Sequence, residues 1–576
     1  MKQVTSRAAL NKVTNRLFDG LALVITAFLI GLIVYPLGTM LIRVFVVDGV
    51  FRVDYIGELF QNDTLGVSIV NTIIVVVASS SIALFVGSFF AWLSERTDAS
   101  LGKLGAVLPL VPLLMPPIAM SVGWMFLASE RAGIINVILR SFLSGFGYTD
   151  TKGPIAIESW PGLVFVYTIY LVPLVFVTVA SAFRSLDPAM EEASRTSGAG
   201  LFRTARLVAI PSLLPALGGA LVLVVVFSAS VFSIPSIIGT AAQIRVVSVE
   251  IVRLMLRFPP AIAEAVSLGI VISIVVGVLW AMQRRSAGRG RHATVGARPG
   301  GGALVKLGLW RGPAKAVMVT YLVIASVLPL AALAMVGLQP FWSPAIDWST
   351  LSLKNFQALV AESSLARQSI INSVTLSLIG ATVGMVLVTV LTVYARERAR
   401  GQAWIVDTAT KLPAGIPHVV VGMAFIITFS GPPFGLYGSA LMIVLAYIML
   451  YLPQASIAAG TAYDQVGGAV MEASRVAGAD RMRTLWRITA PLMLPGLVAG
   501  WTLLFVLMVG ELNTSVILAS PANPVVGFVF LNIWENGTFS QLAALGTVIS
   551  LISATFVTLV LLRSRSTAGA LGGPRG

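Results

Sequence analysis

Hydrophobic runs of spanning length, broken by short polar or Gly- and Pro-containing stretches, occupy most of the chain. Twelve of them lie near residues 18–46, 66–93, 104–128, 160–183, 207–238, 261–282, 316–338, 370–395, 404–430, 435–463, 488–519 and 541–562. About 20 apolar residues carry an α-helix across a bilayer, and a helix satisfies its own backbone donors and acceptors in hydrocarbon. The pattern therefore predicts an all-α integral membrane protein. Six runs precede and six follow QRRSAGRGRHATVGARPGGGALVKLGLWRGPAK, residues 283–315, whose glycines and basic residues interrupt the hydropathy. That stretch reads as a linker between a first half, 1–282, and a second, 316–576.

Length alone, 576 residues, would suggest several soluble domains; 57% hydrophobic and 11% charged residues, with a mean hydropathy of +0.92, exclude that reading. The net charge of +15 acquires a location from the spans. If the N-terminus is cytoplasmic, twelve spans put both termini and the linker on one side, with about three quarters of the 39 Lys and Arg, as the positive-inside rule demands. Such basic loops face anionic membrane lipid. The linker arginines Arg284, Arg285, Arg289, Arg291 and Arg298 come without aromatic interleaving or a recognition module, so nucleic acid is not an expected partner. The opening MKQVTSRAALNKVTNRLFDG leads into an apolar run too long for a signal-peptide core and reads as an uncleaved first span behind a short amphipathic segment. Cysteine is absent, which removes disulfides, Cys-type metal sites and thiol nucleophiles.

The chain also repeats itself. EASRTSGAG at 192–200 returns as EASRVAGAD at 472–480, and over 26 positions at a shift of 280 there are 12 identities, among them Arg203, Thr204, Leu214 and Pro215. Pro173 matches Pro453 at the same shift, and AWLSERTDA (91–99) is similar to VYARERARG (393–401). Each EAS segment falls between the fourth and fifth spans of its half, so the chain is a tandem duplication of a six-span unit, both copies in one orientation. In the first copy Asp187 and Pro188 make a helix start, with acidic residues where the helix dipole favours them. Gly198 and Gly478 are placed to take positive φ and turn the chain toward the next span.

Both segments resemble E-A-A-x3-G-x9-I-x-L-P, the loop motif of ABC importer permeases, with Ser in the third position and Ile210 or Ala490 where the motif has Leu. The resemblance is carried by Glu192, Ala193, Ser194, Gly198 and Pro211 in the first copy (loop 187–211) and by Glu472, Ala473, Ser474, Gly478 and Pro491 in the second (loop 467–491). It implies a type I importer fold of two six-helix repeats about a pseudo-twofold axis, in a bacterial inner membrane with both termini cytoplasmic. It also implies that these residues dock on two copies of a separate ABC ATPase, with an extracytoplasmic substrate-binding protein on the other side. ATP and Mg would be bound by that ATPase; the chain has no G-x-x-x-x-G-K-[ST] phosphate loop, and no cofactor is expected in it. LSGFG at 143–147 partly resembles the ABC signature loop, but it lies on the external side without a phosphate loop and reads as an ordinary Gly/Ser loop.

A single chain carrying both halves is similar to the ferric iron permease group and its relatives. GELNTSVILASP (510–521) and SVFSIPSIIGT (230–240) resemble two segments of that group. Ferric iron is the leading cargo on that resemblance; thiamine, phosphonate and polyamine are the alternatives. Glu511, Asn513 and Thr514, with Ser228, Ser230 and Ser233, put small polar and ionisable groups inside corresponding spans, where they either line a translocation path or bond neighbouring helices. The two histidines, His292 and His418, form no evident metal or catalytic set, and a transport subunit without its own enzymatic site is expected. A secondary transporter of the major-facilitator type also has six plus six parallel spans; the paired EAS loops and the scarcity of ionisable groups inside spans weigh against it.

Overall fold

A computed structural model describes residues 2–571 apart from 48, 53, 102–110, 114, 187, 290–303, 344, 363, 397–399, 467 and 480. The first half contains α1 (Lys2–Phe45), α2 (Asp54–Gln61), α3 (Asp63–Arg96), α4 (Pro117–Ala128), α5 (Ile134–Ser144), α6 (Trp160–Ser185), α7 (Pro188–Thr196), α8 (Leu201–Thr204), α9 (Ile210–Ser230), α10 (Val247–Leu256) and α11 (Ile262–Arg289). The second contains α12 (Arg311–Leu322), α13 (Leu328–Leu338), α14 (Lys354–Val360), α15 (Leu365–Arg396), α16 (Arg400–Lys411), α17 (His418–Phe429), α18 (Ala440–Asp464), α19 (Gly468–Val476), α20 (Arg481–Thr484), α21 (Ala490–Val509), α22 (Ser515–Leu518), α23 (Val526–Glu535) and α24 (Phe539–Leu571). A two-stranded hairpin, Val46–Val47 with Val50–Phe51, follows α1.

Among the described residues, 10 helices are long and apolar enough to span a membrane, and α16 with α17, bent by 102° at Pro417, makes up to 11. The remaining expected span, near 104–128, falls partly on residues 102–110, outside the described set; beyond them α4 supplies 12 residues. The fold is thus all-α and membrane-embedded. The fifth span of each half is shorter than the hydropathy suggested. Instead of 207–238 the helix stops at Ser230, because the ring of Pro235 has no N–H and would collide with the carbonyl of Val231, whose backbone turns extended. Instead of 488–519 it stops at Val509, where Gly510 leaves the helix and the Glu511 side chain takes over the next free N–H groups.

Proline also explains the irregular turns. Of the four π-helical segments among the described residues, Pro235–Gly239 begins with a proline, and the other three, Ala205–Ala209, Val323–Val327 and Leu485–Thr489, each end two residues before one: Pro211, Pro329 and Pro491. A proline ring displaces the carbonyl four residues back, and a single wide turn absorbs the displacement without breaking the span. Two of the three occupy the same place in the repeat, 280 residues apart.

Contacts divide the chain into two compact units, one of residues 1–51, 365–529 and 551–576, the other of 52–364 and 530–550. Each unit holds the leading helix of the opposite sequence half. In the first unit α1 lies along α17, where Thr428 Oγ1 donates to the Pro36 carbonyl at 3.2 Å, and against α15, where Phe18 meets Tyr394. In the second, α13 lies along α4, where a Cβ on Gly123 would stand 2.7 Å from Pro329, and α12 is tied to α6 by the Tyr321 hydroxyl, which donates to the Ile169 carbonyl at 3.1 Å. Small residues at such crossings let helices approach where lipid supplies no hydrophobic drive: Gly87 meets Val175 between α3 and α6, and Gly500 meets Ala458 between α21 and α18. Of the linker, residues 290–303 are outside the described set. Its end docks in the second unit, where Val305 forms a parallel bridge with Thr97, and Asp98 Oδ1 accepts from the Leu307 N–H.

Candidate docking and translocation elements

The EAS segments form α7 and α19, nine residues each, with Pro188 as the first residue of α7. Asp187, the expected cap, lies outside the described residues. Both helices end the same way. The N–H of Ala199 reaches back to the Ser194 carbonyl at 3.1 Å and that of Ala479 to the Ser474 carbonyl at 3.2 Å, across Gly198 at φ +83° and Gly478 at φ +77°. This six-to-one closure over a left-handed glycine satisfies the last carbonyls and reverses the chain. Nothing stands within 4 Å of a Cβ at either glycine, so conformation and not crowding requires it.

The serine that departs from the alanine of the motif has a partner. Ser194 Oγ pairs with Thr204 Oγ1 at 3.0 Å, and Ser474 Oγ with Thr484 Oγ1 at 2.8 Å, tying each nine-residue helix to the one after its turn. Thr204 and Thr484 were visible only as identities of the repeat; the structure gives them a task. Glu192, Ala193, Gly198 and Pro211, and likewise Glu472, Ala473, Gly478 and Pro491, are exposed, whereas Ser474 is buried and Ser194 half-buried. The Glu, Ala and Gly of both phrases therefore face outward while the serines turn in, on helices whose turns are closed internally.

Ahead of these helices, α3 and α6 of the first half are tied by Arg184–Glu95 at 2.8 Å, and α15 and α18 of the second by Arg396–Asp464 at 2.7 Å. The tie is retained with its charges exchanged. Arg96 also donates to the carbonyls of Phe183 and Leu186 at 3.0 and 3.1 Å, closing the end of α6 just before α7.

The small polar residues of the fifth spans are buried within their own units. Ser228 Oγ lies 3.3 Å from Ser80 Oγ on α3, Ser230 donates to the Val226 carbonyl at 2.8 Å, and Ser233 is buried in the break after α9. In the second half Glu511 is 3% exposed. Both its oxygens lie 3.1 Å from the Thr514 N–H, Oε2 also accepts from Ser515 at 3.1 Å, and Oε1 stands 3.4 Å from Nδ1 of His418. Thr514 Oγ1 donates to the His418 carbonyl at 2.8 Å, while Asn513 is half-buried. The His418 ring meets Tyr451 edge-on at 5.7 Å, and the Tyr451 hydroxyl donates to the Leu507 carbonyl. The carboxylate thus starts α22 and joins two helix breaks, the one before α17 and the one after α21. Sequence reasoning singled out Glu511 and missed His418 as its neighbour. Gly527 was also missed: a Cβ there would be 2.7 Å from both the Glu511 carbonyl and Ser515 Oγ, so only glycine lets the start of α23 close on this turn. Among the described residues no three His, Asp, Glu or Cys side chains converge as a metal site.

Residues 398–564 match the family of the binding-protein-dependent transport system inner membrane component. The ferric transport system permease protein FbpB of Actinobacillus pleuropneumoniae is 24% identical over 558 residues, 94% of this chain and 78% of that protein. The probable ABC transporter permease protein y4fN of Sinorhizobium fredii is 23% identical over 572 residues, 96% of this chain and 97% of its own. Of solved structures, a bacterial ABC transporter that imports the acidic polysaccharide alginate is similar over 45% of this chain and 95% of its own, at 20% identity and a TM-score of 0.37. The duplicated loop, the membrane-spanning helices and the sequence matches make the chain a multi-pass inner-membrane protein similar to the permeases of binding-protein-dependent ABC importers, in the fused two-half form that resembles the ferric iron permeases.

Proposed function

We propose that this permease forms the translocation path of a ferric iron importer, driven by two copies of an ABC ATPase that dock on α7 and α19 and supplied by an extracytoplasmic binding protein. The observation that carries the docking assignment is the duplicated helix, left-handed glycine and Ser–Thr tie, which presents Glu192, Ala193, Glu472 and Ala473 outward on two rigid supports. ATP and Mg bind on the ATPase, and its closure draws the two docking helices together and rocks the spans they are tied to. Both termini, α7, α19 and the linker face the cytoplasm, in keeping with the charge asymmetry of the loops.

Iron is supported by three relatives that match over 94%, 86% and 72% of the chain and carry ferric names, while y4fN, matched over 96%, has no cargo in its name. Shorter matches, over 38% and 39% of the chain, are named for spermidine/putrescine and 2-aminoethylphosphonate transport, and these, with thiamine, are the competing cargos. The path is assigned to Ser230, Ser233, Glu511, Asn513 and Thr514, the polar groups at the helix breaks of the two fifth spans.

The test is reconstitution of the permease with its ATPase and binding protein in vesicles. Ferric-loaded binding protein is expected to stimulate ATP hydrolysis and iron uptake; stimulation by a polyamine, phosphonate or thiamine instead of iron overturns the cargo. Gly198→Asp with Gly478→Asp is expected to abolish co-purification of the ATPase while the protein still inserts. An unchanged complex removes the docking assignment.

A further inference from the structure

The stretch from Ser129 to Ser159 has no counterpart in the repeat: the matching loop of the second half, residues 430–439, has ten residues and no helix. In the first half the loop carries α5 and is firmly built. The Asn136 amide, fully buried, donates to the Ser129 carbonyl at 2.8 Å and the Ile155 carbonyl at 2.6 Å, and its oxygen accepts from the Ile155 N–H at 3.1 Å. Gly153 lies against that amide so closely that a Cβ would overlap it. Glu158 accepts from the Ser129 hydroxyl and the Glu130 N–H, and the Ile157 N–H bonds the Ala128 carbonyl at 3.1 Å.

These bonds fix the height of α5. Ala128 ends α4, and Trp160, three residues after Ile157, begins the 26-residue span α6. A helix of that length rises about 39 Å, enough to cross the hydrocarbon, so its first residue lies at one membrane boundary and α7, just after its last, at the other. Pinned to Ser129 and Ile155, α5 therefore runs at the boundary opposite α7. Its buried face is marked by Asn136. Ile138 and Phe142, four residues apart on α5 and 64% and 65% exposed, form a stripe away from it, and Phe146, 77% exposed in the turn after the helix, extends it with its ring 5.3 Å from that of Phe142.

We propose that α5 and the turn after it form an interfacial segment whose apolar stripe, Ile138 and Phe142 on the helix and Phe146 just beyond it, is sunk in the lipid leaflet on the side of the membrane opposite α7. Two considerations select lipid as the occupant. The helix is held at the level where a leaflet is present on every lipid-facing side of the protein, and amphipathic helices there bury their apolar face about 5–10 Å into the headgroup and acyl boundary. The stripe also offers roughly 400 Å² at about 200 Å² per large side chain, half of the ~800 Å² per partner that a specific protein contact needs. Arg131 and Arg140 flank the stripe: the Arg140 guanidinium donates to the carbonyls of Arg131 and Thr151, holding the loop as one piece with basic groups at headgroup height. LSGFG at 143–147 becomes the end of this anchor.

The chain has no cysteine, so single-cysteine variants take one spin label each. Phe142→Cys and Phe146→Cys sample the stripe, and Ser144→Cys samples an exposed position on the other side of the helix. In full-length protein in phosphatidylcholine–phosphatidylglycerol vesicles, the stripe labels are expected to collide with oxygen several-fold more, and with a water-soluble nickel chelate several-fold less, than the Ser144 label. Equal nickel accessibility at all three positions overturns the proposal. So does protection of the stripe labels that arises only when an extracytoplasmic binding protein is added, since that makes the stripe a protein contact. The two stripe positions are exposed, and retention of the monodisperse elution of the parent chain by each variant keeps the comparison independent of misfolding.

Discussion

Replacing Glu511 separates two tasks that a buried intramembrane carboxylate can have. In the structure its oxygens are occupied by the N–H groups of Thr514 and Ser515, both buried, with the His418 ring beside Oε1. Oε2 alone reaches both N–H groups at 3.1 Å. Glu511→Gln can therefore keep its carbonyl at the Oε2 position, retain both bonds and turn its amide toward Nδ1 of His418. Its cost is the charge assistance of the bonds, about 1 kcal/mol. Glu511→Ala removes every acceptor and leaves two buried donors without partners, about 1–3 kcal/mol each, besides a cavity. The compact unit that holds Glu511 spans residues 1–51, 365–529 and 551–576. For a body of that size a loss of about 2–6 kcal/mol lowers Tm by about 5 °C or more, and the Gln variant by about 2–4 °C.

Thermal unfolding of the purified permease in lipid nanodiscs, followed together with uptake in vesicles, reads both tasks. The expected order of Tm is the parent chain first, Glu511→Gln next and Glu511→Ala well below both. An Ala variant within about 1 °C of the parent, or a Gln variant as damaged as Ala, refutes the reasoning from the bond geometry. Uptake decides the second question: Glu511→Gln with near-parental Tm but abolished transport assigns the negative charge to the path, and near-parental transport assigns Glu511 to holding α17, α21 and α22 in register.

Gly198→Ala and Gly478→Ala keep the space but must hold an L-residue at φ +83° and +77°, at about 1–2 kcal/mol each; amide exchange over 188–204 and 468–484 is expected to quicken, and less so with Asn than with Val. Gly123→Ala drives a methyl into Pro329 and is expected to cost about 1–3 kcal/mol of stability. Gly384→Ala, inside α15 with open space around its Cβ, is expected to be neutral or stabilising in the same thermal assay. A break introduced between residues 290 and 303 leaves two polypeptides that each lack the leading helix of one compact unit, so they are expected to co-purify and to be degraded when expressed singly.

Hydropathy made the spans legible because a helix in lipid needs only length and apolarity. It misplaced the ends of the fifth spans because apolar residues continue past both, through Val231 to Gly239 in the first half and, beyond the polar run Glu511 to Ser515, through Val516 to Ala519 in the second: those ends are set by the ring of Pro235 and the side chain of Glu511, each acting on backbone a few residues away. The repeated phrase was legible to the level of backbone conformation, since Pro188 and the two glycines specify their own geometry. The Glu511–His418 contact was not, because 93 residues separate its members and no local pattern joins them. Nor was α5 with the turn after it, whose three exposed apolar residues are ordinary in a greasy chain and acquire meaning only once Asn136 fixes the height of the helix.

Comparison of the copies shows which features duplication keeps. Those that act through the backbone recur almost unchanged: the left-handed glycine, the six-to-one closure over it, and the wide turn before Pro211 and Pro491, with the Ser–Thr side-chain tie kept alongside them. A backbone device works wherever the chain takes the same path, so both halves need it. Side-chain chemistry has diverged wherever an alternative serves the same geometry. The tie between second and fourth spans is Glu–Arg in one half and Arg–Asp in the other, because attraction is indifferent to which helix holds the acid. The helix break after the fifth span is made by a proline ring in the first half and by a carboxylate cap in the second. Only the second of these devices puts an ionisable group into the membrane, where a carboxylate is costly unless bonded. Glu511 is bonded three times over, so the turn it makes offsets the cost of its burial, and the two halves carry the same repeated loop on unequal interiors.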